Sequence, residues 1–187
     1  MSDQSKPYRK QLRLENYDYS SSGAYFITIC TFRKQKTLGD IFRRGDPCGL
    51  PRTALSELGA LAEETVREIE IPDRVRVDKY VVMPNHVHLL LSISGVTPDS
   101  RKGYPYDSEE NNSHLDNEYD LSRIVGKYKS LVANKWLAVC KSRNQQMGTI
   151  WQRSYHDHII RDEADYLTRW KYIDENPLKW EFDKYYR

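Results

Sequence analysis

Apolar and polar residues alternate along Ala24–Phe32 (AYFITICTF), a run rich in β-branched and aromatic side chains that predicts a strand. Positions 34–52, with their glycines and prolines, read as a loop. The period then changes. Leu55, Leu58, Leu61, Ala62, Val66 and Ile69 recur at helical spacing and predict an amphipathic helix over about 54–70, stopped by Pro72-Asp73. Strand character returns over Val75–Val82 and His86–Ile93, and the short Met83-Pro84-Asn85 connection makes the pair a hairpin. From 94 to 119 the pattern breaks, and Glu109-Glu110-Asn111-Asn112 sits at the centre of an expected flexible, acidic insertion. Leu121, Ile124, Val125, Leu131, Val132 and Trp136 mark the apolar side of a helix over Leu121–Val139, with Asp120 or Ser122 as its cap. Thr149–Gln152 and His158–Ile160 read as extended. Glu163–Glu175 is the last helix, ended by Asn176-Pro177. Residues 1–22 are polar and are expected to wrap the surface or move.

The order is strand, helix, strand, strand, helix, strand, then an additional helix. It predicts an α+β fold of the split βαβ, ferredoxin-like kind. Its antiparallel sheet would carry helices on one face and leave the other free for a site, with the extra helix at the C-terminal end. A length of 187 residues suits a single domain. With 39% hydrophobic and 12% aromatic residues, global disorder is excluded. No apolar run approaches the roughly 18 residues of a membrane span, and residues 1–12 hold no apolar core of a secretory signal. Cys30, Cys48 and Cys140 are widely spaced and form no CxxC, which suits reduced thiols in a cytoplasmic protein and excludes zinc-ribbon spacing.

His86-Val87-His88 carries the strongest chemical signal. Residues two apart on a strand share a face, so both imidazoles leave one side of the sheet, with Cα atoms roughly 6–7 Å apart. Neutral imidazole is a common metal ligand, so the pair reads either as half of a metal site or as two exposed or packed histidines. His156-Asp157-His158 repeats the pattern. It could contact substrate, shuttle a proton, join the first pair in a four-histidine centre, or sit at a strand edge. On the last helix Tyr166, Trp170 and Ile173 form the stripe expected to be buried, whereas Arg169, Tyr172 and Asn176 share another face. Tyr172 is one of 14 tyrosines, and from the residues alone it either packs at the edge of the stripe or performs chemistry.

The net charge of +2 hides an uneven distribution. Between 121 and 161, Arg123, Lys127, Lys129, Lys135, Lys141, Arg143, Arg153 and Arg161 face the single acid Asp157, with Tyr128, Trp136, Trp151 and Tyr155 interleaved. Cations track phosphates and aromatic faces stack unpaired bases, so the segment reads as a nucleic-acid footprint or as an ordinary solvated face.

Pro84-Asn85-His86-Val87-His88, followed by apolar residues, resembles the HUH motif of single-tyrosine, single-strand-DNA transposases. The block Trp151–Arg161 and the run Tyr172–Pro177 resemble the REP-associated tyrosine transposases within that group; Tyr17-Asp18-Tyr19 and Gly23–Thr31 are similar to their N-terminal signature. The resemblance implies that a divalent metal, Mg²⁺ or Mn²⁺, is held by His86, His88 and Asn176. It implies Tyr172 on the C-terminal helix as the nucleophile, with Tyr155 as the competing choice. The implied reaction nicks and rejoins single-stranded DNA through a 5′-phosphotyrosine, at hairpin repeats. The expected DNA contacts are Arg123, Lys127, Lys129, Arg153, Tyr155, His158, Arg161 and Arg169. Monomer and homodimer both stay open. With a phenol pKa near 10, about one tyrosine in a thousand is ionised at neutral pH, and no residue in the sequence announces itself as the proton acceptor. Two other readings remain. A non-catalytic RRM-like binder would use the same fold but lacks its aromatic-glycine signature here. A replication or mobilisation nickase would share the HUH chemistry but does not account for the Trp151–Arg161 block.

Overall fold

The computed structural model describes residues 22–42, 52–94 and 120–186. The Tyr17-Asp18-Tyr19 signature, Cys48 and the expected insertion after Ser94 lie outside these residues. The main sheet contains β1 (Gly23–Cys30), β4 (Val75–Met83), β5 (His86–Ile93) and β6 (His156–Ile160), in the order β4-β5-β1-β6. All its pairings are antiparallel. Both βαβ units are split: β5 lies between β1 and β4, and β1 lies between β5 and β6. β5 and the last helix, α3 (Glu163–Glu175), have the limits that the pattern of residues predicts, while β4 runs one residue past the expected Val82, to Met83.

Alternation divides the sheet cleanly. Tyr25, Ile27, Ile29, Val87, Leu89 and Leu91 point to one side and meet α1 (Glu57–Thr65) and α2 (Leu121–Ser142), forming the larger core. Phe26 and Leu90 point to the other side and meet Ile173 of α3, flanked by Tyr166, Trp170 and Tyr172. That second face is therefore covered, where the pattern predicts a free one. The apolar stripe of α3 needs a partner, and α3 with the turns that follow it covers the sheet; Trp180 and Tyr185 are buried there.

Two local expectations change. The supposed loop 34–52 contains β2 (Gly39–Phe42), which pairs with β3 (Arg52–Leu55). These residues lack a strong alternation, and the pairing is decided by the partner strand. The helix expected from 54 starts at Glu57, because Ser56 Oγ accepts from the Gly59 amide at 3.0 Å and caps it. Gly59 also brings α1 against the Leu38 backbone: a Cβ there would lie 1.9 Å from the Leu38 carbonyl oxygen. Past Thr65 the helical run tightens into a 3₁₀ turn over Arg67–Ile69. Among the described residues, no helix is long and apolar enough to cross a membrane.

Candidate active site

Cross-strand register brings the site together. Thr28 of β1 pairs with His88 of β5 on one side and His156 of β6 on the other, and Cys30 pairs with His86. Directly opposed residues share a face; Thr28, Cys30, His86 and His88 are buried there, and His156 lies at the exposed edge of the same face. His86 and His88 are fully buried, and Asn176 at the end of α3 is 3% exposed. The two Nε2 atoms stand 3.0 Å apart.

The hydrogen-bond partners decide which ring nitrogens carry hydrogen. Asn85 Nδ2 donates to the Lys34 carbonyl at 3.2 Å and to the Tyr185 carbonyl at 2.8 Å. Its Oδ1 therefore faces His86 Nδ1, at 2.8 Å. An amide oxygen only accepts, so His86 Nδ1 carries the hydrogen and Nε2 presents a lone pair. His88 Nδ1 lies 2.9 Å from Thr28 Oγ1, a hydroxyl that can donate or accept. Between the facing Nε2 atoms there must be either a hydrogen on His88 or a cation.

A divalent cation fits these donors. Cis ligands about 2.1 Å from an octahedral ion lie about 3 Å apart, which is the spacing of the two Nε2 atoms. Asn176 Oδ1 is buried and has no hydrogen-bond donor; such an orphan costs about 1–3 kcal/mol and is satisfied by a cation. Burial drives the protonation of His86 down to about pH 3, helped by the charges of Lys184 and Lys34. Burial, then the neighbouring His86, pushes His88 down as well. Both rings are thus neutral and competent as ligands near pH 7. The carboxylate of Asp183 stands with them: its oxygen and the two ring nitrogens lie within 4.8 Å of one another.

Asp183 also organises the tyrosine. Tyr172 Oη donates to Asp183 Oδ2 at 2.9 Å, and Asn176 Nδ2 donates to the same oxygen at 3.0 Å. The Tyr185 amide donates to Oδ1 at 2.6 Å. The Tyr172 ring packs edge-on to His88, centroids 5.3 Å apart, and to Phe26 at 5.8 Å. Burial, then the charge and hydrogen bond of Asp183, raises the phenol well above its ordinary pKa. Tyr172, Asn176 and Asp183 line a cavity of about 290 Å³ that opens past Lys179, Phe182 and Lys184.

Other expected site residues fall elsewhere. Tyr155 packs against the larger core on the opposite face of the sheet, with Lys129 Nζ 5.9 Å from its ring centre. His156 and His158 share the site face, but the group within reach of one ion among the described residues is His86, His88 and Asp183. A four-histidine centre is therefore not formed. His158 Nε2 instead pairs with Asp165 Oδ2 at 2.7 Å, and Arg169 Nε holds the other oxygen at 3.1 Å, tying β6 to α3.

The basic footprint also divides. Lys129 Nζ donates to the carbonyls of Gln152, Arg153 and Ser154 at 3.0, 3.3 and 3.0 Å, so this cation braces a loop. Lys135 pairs with Glu64 of α1 and Glu68 of the 3₁₀ turn that follows it, and Arg143 pairs with Glu57 of α1. Arg123, Lys127, Arg153 and Arg161 are exposed.

Asp183, Thr28, Lys34 and Lys184 were missed in the sequence. Asp183 lies beyond Pro177, where no helical period carries a face forward. Thr28 is a β-branched residue in a strand and looks like packing.

No family model matches the chain. An uncharacterized protein of Haemophilus influenzae (strain ATCC 51907 / DSM 11121 / KW20 / Rd) is 32% identical over 181 residues, covering 96% of this chain and 93% of its own length. Among solved structures, a REP-associated tyrosine transposase bound to a REP hairpin superposes with a TM-score of 0.55 at 18% identity, over 92% of this chain and 76% of the other. The chain has that fold.

Proposed function

We propose, from the premise that this chain belongs to one family with the Haemophilus influenzae protein and has the fold of a REP-associated tyrosine transposase, that it nicks and rejoins single-stranded DNA at hairpin repeats. The observation that carries the reading is Asp183 Oδ2, shared by Tyr172 Oη and Asn176 Nδ2 beside the facing His86 and His88 rings. Asp183 thus links the phenol and the amide of Asn176 to the two neutral imidazoles, which supports this assignment of roles.

His86, His88 and Asn176 would hold Mg²⁺ or Mn²⁺, with Asp183 adjoining. When bound, the ion polarises the scissile phosphate and neutralises charge as it develops. Tyr172 Oη attacks phosphorus and the P–O3′ bond breaks; the leaving 3′ oxygen takes a proton from water and departs as a 3′-hydroxyl, while the 5′-phosphate of the downstream strand stays on the tyrosine. Asp183 Oδ2 takes the phenol proton as the O–P bond forms. A resting phenolate is disfavoured by the raised pKa of Tyr172, so proton transfer has to accompany attack. Because the phosphodiester bond energy is retained in the tyrosyl ester, a later 3′-hydroxyl reverses the step and joins strands.

The test is covalent capture. Wild-type protein with Mn²⁺ and a labelled hairpin oligonucleotide carrying single-stranded flanks should yield a denaturation-resistant adduct. Tyr172→Phe should yield none while still binding the DNA. An adduct that persists in Tyr172→Phe and vanishes in Tyr155→Phe would transfer the role to Tyr155.

A further inference from the structure

The turn after β1 is strained. Arg33 and Lys34, neither a glycine, both hold positive φ, 53° and 56°. Each left-handed residue of this kind costs roughly 1–2 kcal/mol, and such strain persists only where surrounding contacts over-determine it. One of those contacts comes from Asn85 Nδ2, which donates to the Lys34 carbonyl at 3.2 Å. The same Asn85 holds the His86 ring through its Oδ1. The strained turn and the candidate metal ligand are therefore braced by one side chain.

This turn sends the Lys34 side chain to Tyr185. Lys34 Nζ lies 4.7 Å from the Tyr185 ring centre, and Lys184 Nζ, from the C-terminal turns, lies 4.9 Å from it. The ring is itself 4.7 Å from His86. Two ammonium groups from segments 150 residues apart in the chain thus gather on one buried aromatic at the rim of the site. The acid beside them, Asp183, is already occupied by Tyr172, Asn176 and the Tyr185 amide. Neither lysine has an ion pair among the described residues. Two cations brought to one ring without an ion pair among the described residues offer a site to an anion.

We infer that Lys34 and Lys184 form a phosphodiester clamp, bracing a backbone phosphate of a single DNA strand at the entrance to the Tyr172 site. Tyr185 is the platform that fixes the two ammonium groups by cation–π contact. The clamp rests on the DNA-processing reading above and adds to it: the strand enters across the C-terminal turns and the turn after β1, apart from the exposed cations of α2. A point charge on a flexible stem binds phosphate without reading sequence, so the clamp sets strand position.

The experiment measures affinity of oligothymidylate for full-length protein across a salt series, together with Mn²⁺ binding. Lys34→Gln and Lys184→Gln should each weaken binding and lower the log–log salt slope by about 0.7, and the double variant by about 1.4, as for phosphate contacts to a single strand. Lys34→Arg should restore most of the slope. Mn²⁺ affinity should not fall, because removing a nearby positive charge cannot repel a cation. A wild-type slope in the double variant overturns the clamp, and so does a loss of Mn²⁺ affinity, which would mean the lysines only hold the site's shape. Wild-type protein that binds neither oligothymidylate nor the flanked hairpin oligonucleotide overturns the DNA-processing reading itself, and binding to the hairpin without binding to oligothymidylate overturns the clamp.

Discussion

Tyr172 Oη donates a 2.9 Å hydrogen bond to Asp183 Oδ2 across a helix end and two turns. Burial first, and then this carboxylate, raises the pKa of the phenol, and the carboxylate is also the group positioned to receive its proton. These two effects separate on mutation. Asp183→Asn should bring the Tyr172 pKa down toward its ordinary value, followed by ultraviolet phenolate absorbance, yet slow cleavage about 10²- to 10⁴-fold, the usual size of a lost general base. Faster cleavage in Asp183→Asn would show that the carboxylate acts only as a restraint.

Thr28 should matter to metal binding without touching the ion. With a cation on Nε2, His88 must carry its hydrogen on Nδ1, and Thr28 Oγ1 accepts it. Thr28→Val keeps the shape and removes the acceptor. Mn²⁺ affinity should fall about 10- to 100-fold, as for other residues that orient a metal-bound histidine, while Thr28→Ser keeps it. Equal Mn²⁺ affinity in Thr28→Val and wild type, read by calorimetry, would discard the relay.

Acid should unfold this protein through its buried histidines. The folded-state pKa of His86 is depressed to about 3, and that of His88 is depressed as well, against about 6.5 in the unfolded chain. Below pH 6.5 the unfolded state binds protons that the folded state refuses. Their stabilisation is therefore complete above pH 6.5 and is lost as pH falls toward 3, at up to about 1.4 kcal/mol per pH unit for each histidine. Urea unfolding at a series of pH values, with chelator present, measures the slope. Added Mn²⁺ should raise stability near pH 7 and lose that effect on acidification, as protons compete for the ligands. A flat profile between pH 6.5 and 4 would contradict the buried, neutral pair.

The cations of the basic segment should separate into two classes. Neutralising the exposed Arg123 or Lys127 should flatten the salt dependence of DNA binding if α2 carries DNA, by about 0.7 per lost phosphate contact. Lys129→Met should instead lower thermal stability, because three loop carbonyls lose their donor, and leave the salt slope as it is. A reduced slope in Lys129→Met would return that residue to the DNA path.

The residues of the chain determined what repeats locally. Period two over His86–Ile93 placed both imidazoles on one face, since neighbouring side chains in a strand must alternate. Helical spacing set Tyr172 and Asn176 on one stripe of α3, and Asn176-Pro177 marked its end. Those signals are carried by steric rules that act within a few residues, so they are legible without partners. Only the tertiary structure decided what those faces meet. Asp183 reaches Tyr172 because the turns after α3 double back; Thr28 reaches His88 because β1 pairs with β5 over 60 residues of chain. The basic run had the same limit. Lys135 and Arg143 read as surplus positive charge until α1 and the 3₁₀ turn after it supply Glu64, Glu68 and Glu57 from 71, 67 and 86 residues away. Charge and hydrogen bonding act through space, and the distances that decide them exist only once the sheet has closed and α3 has covered it.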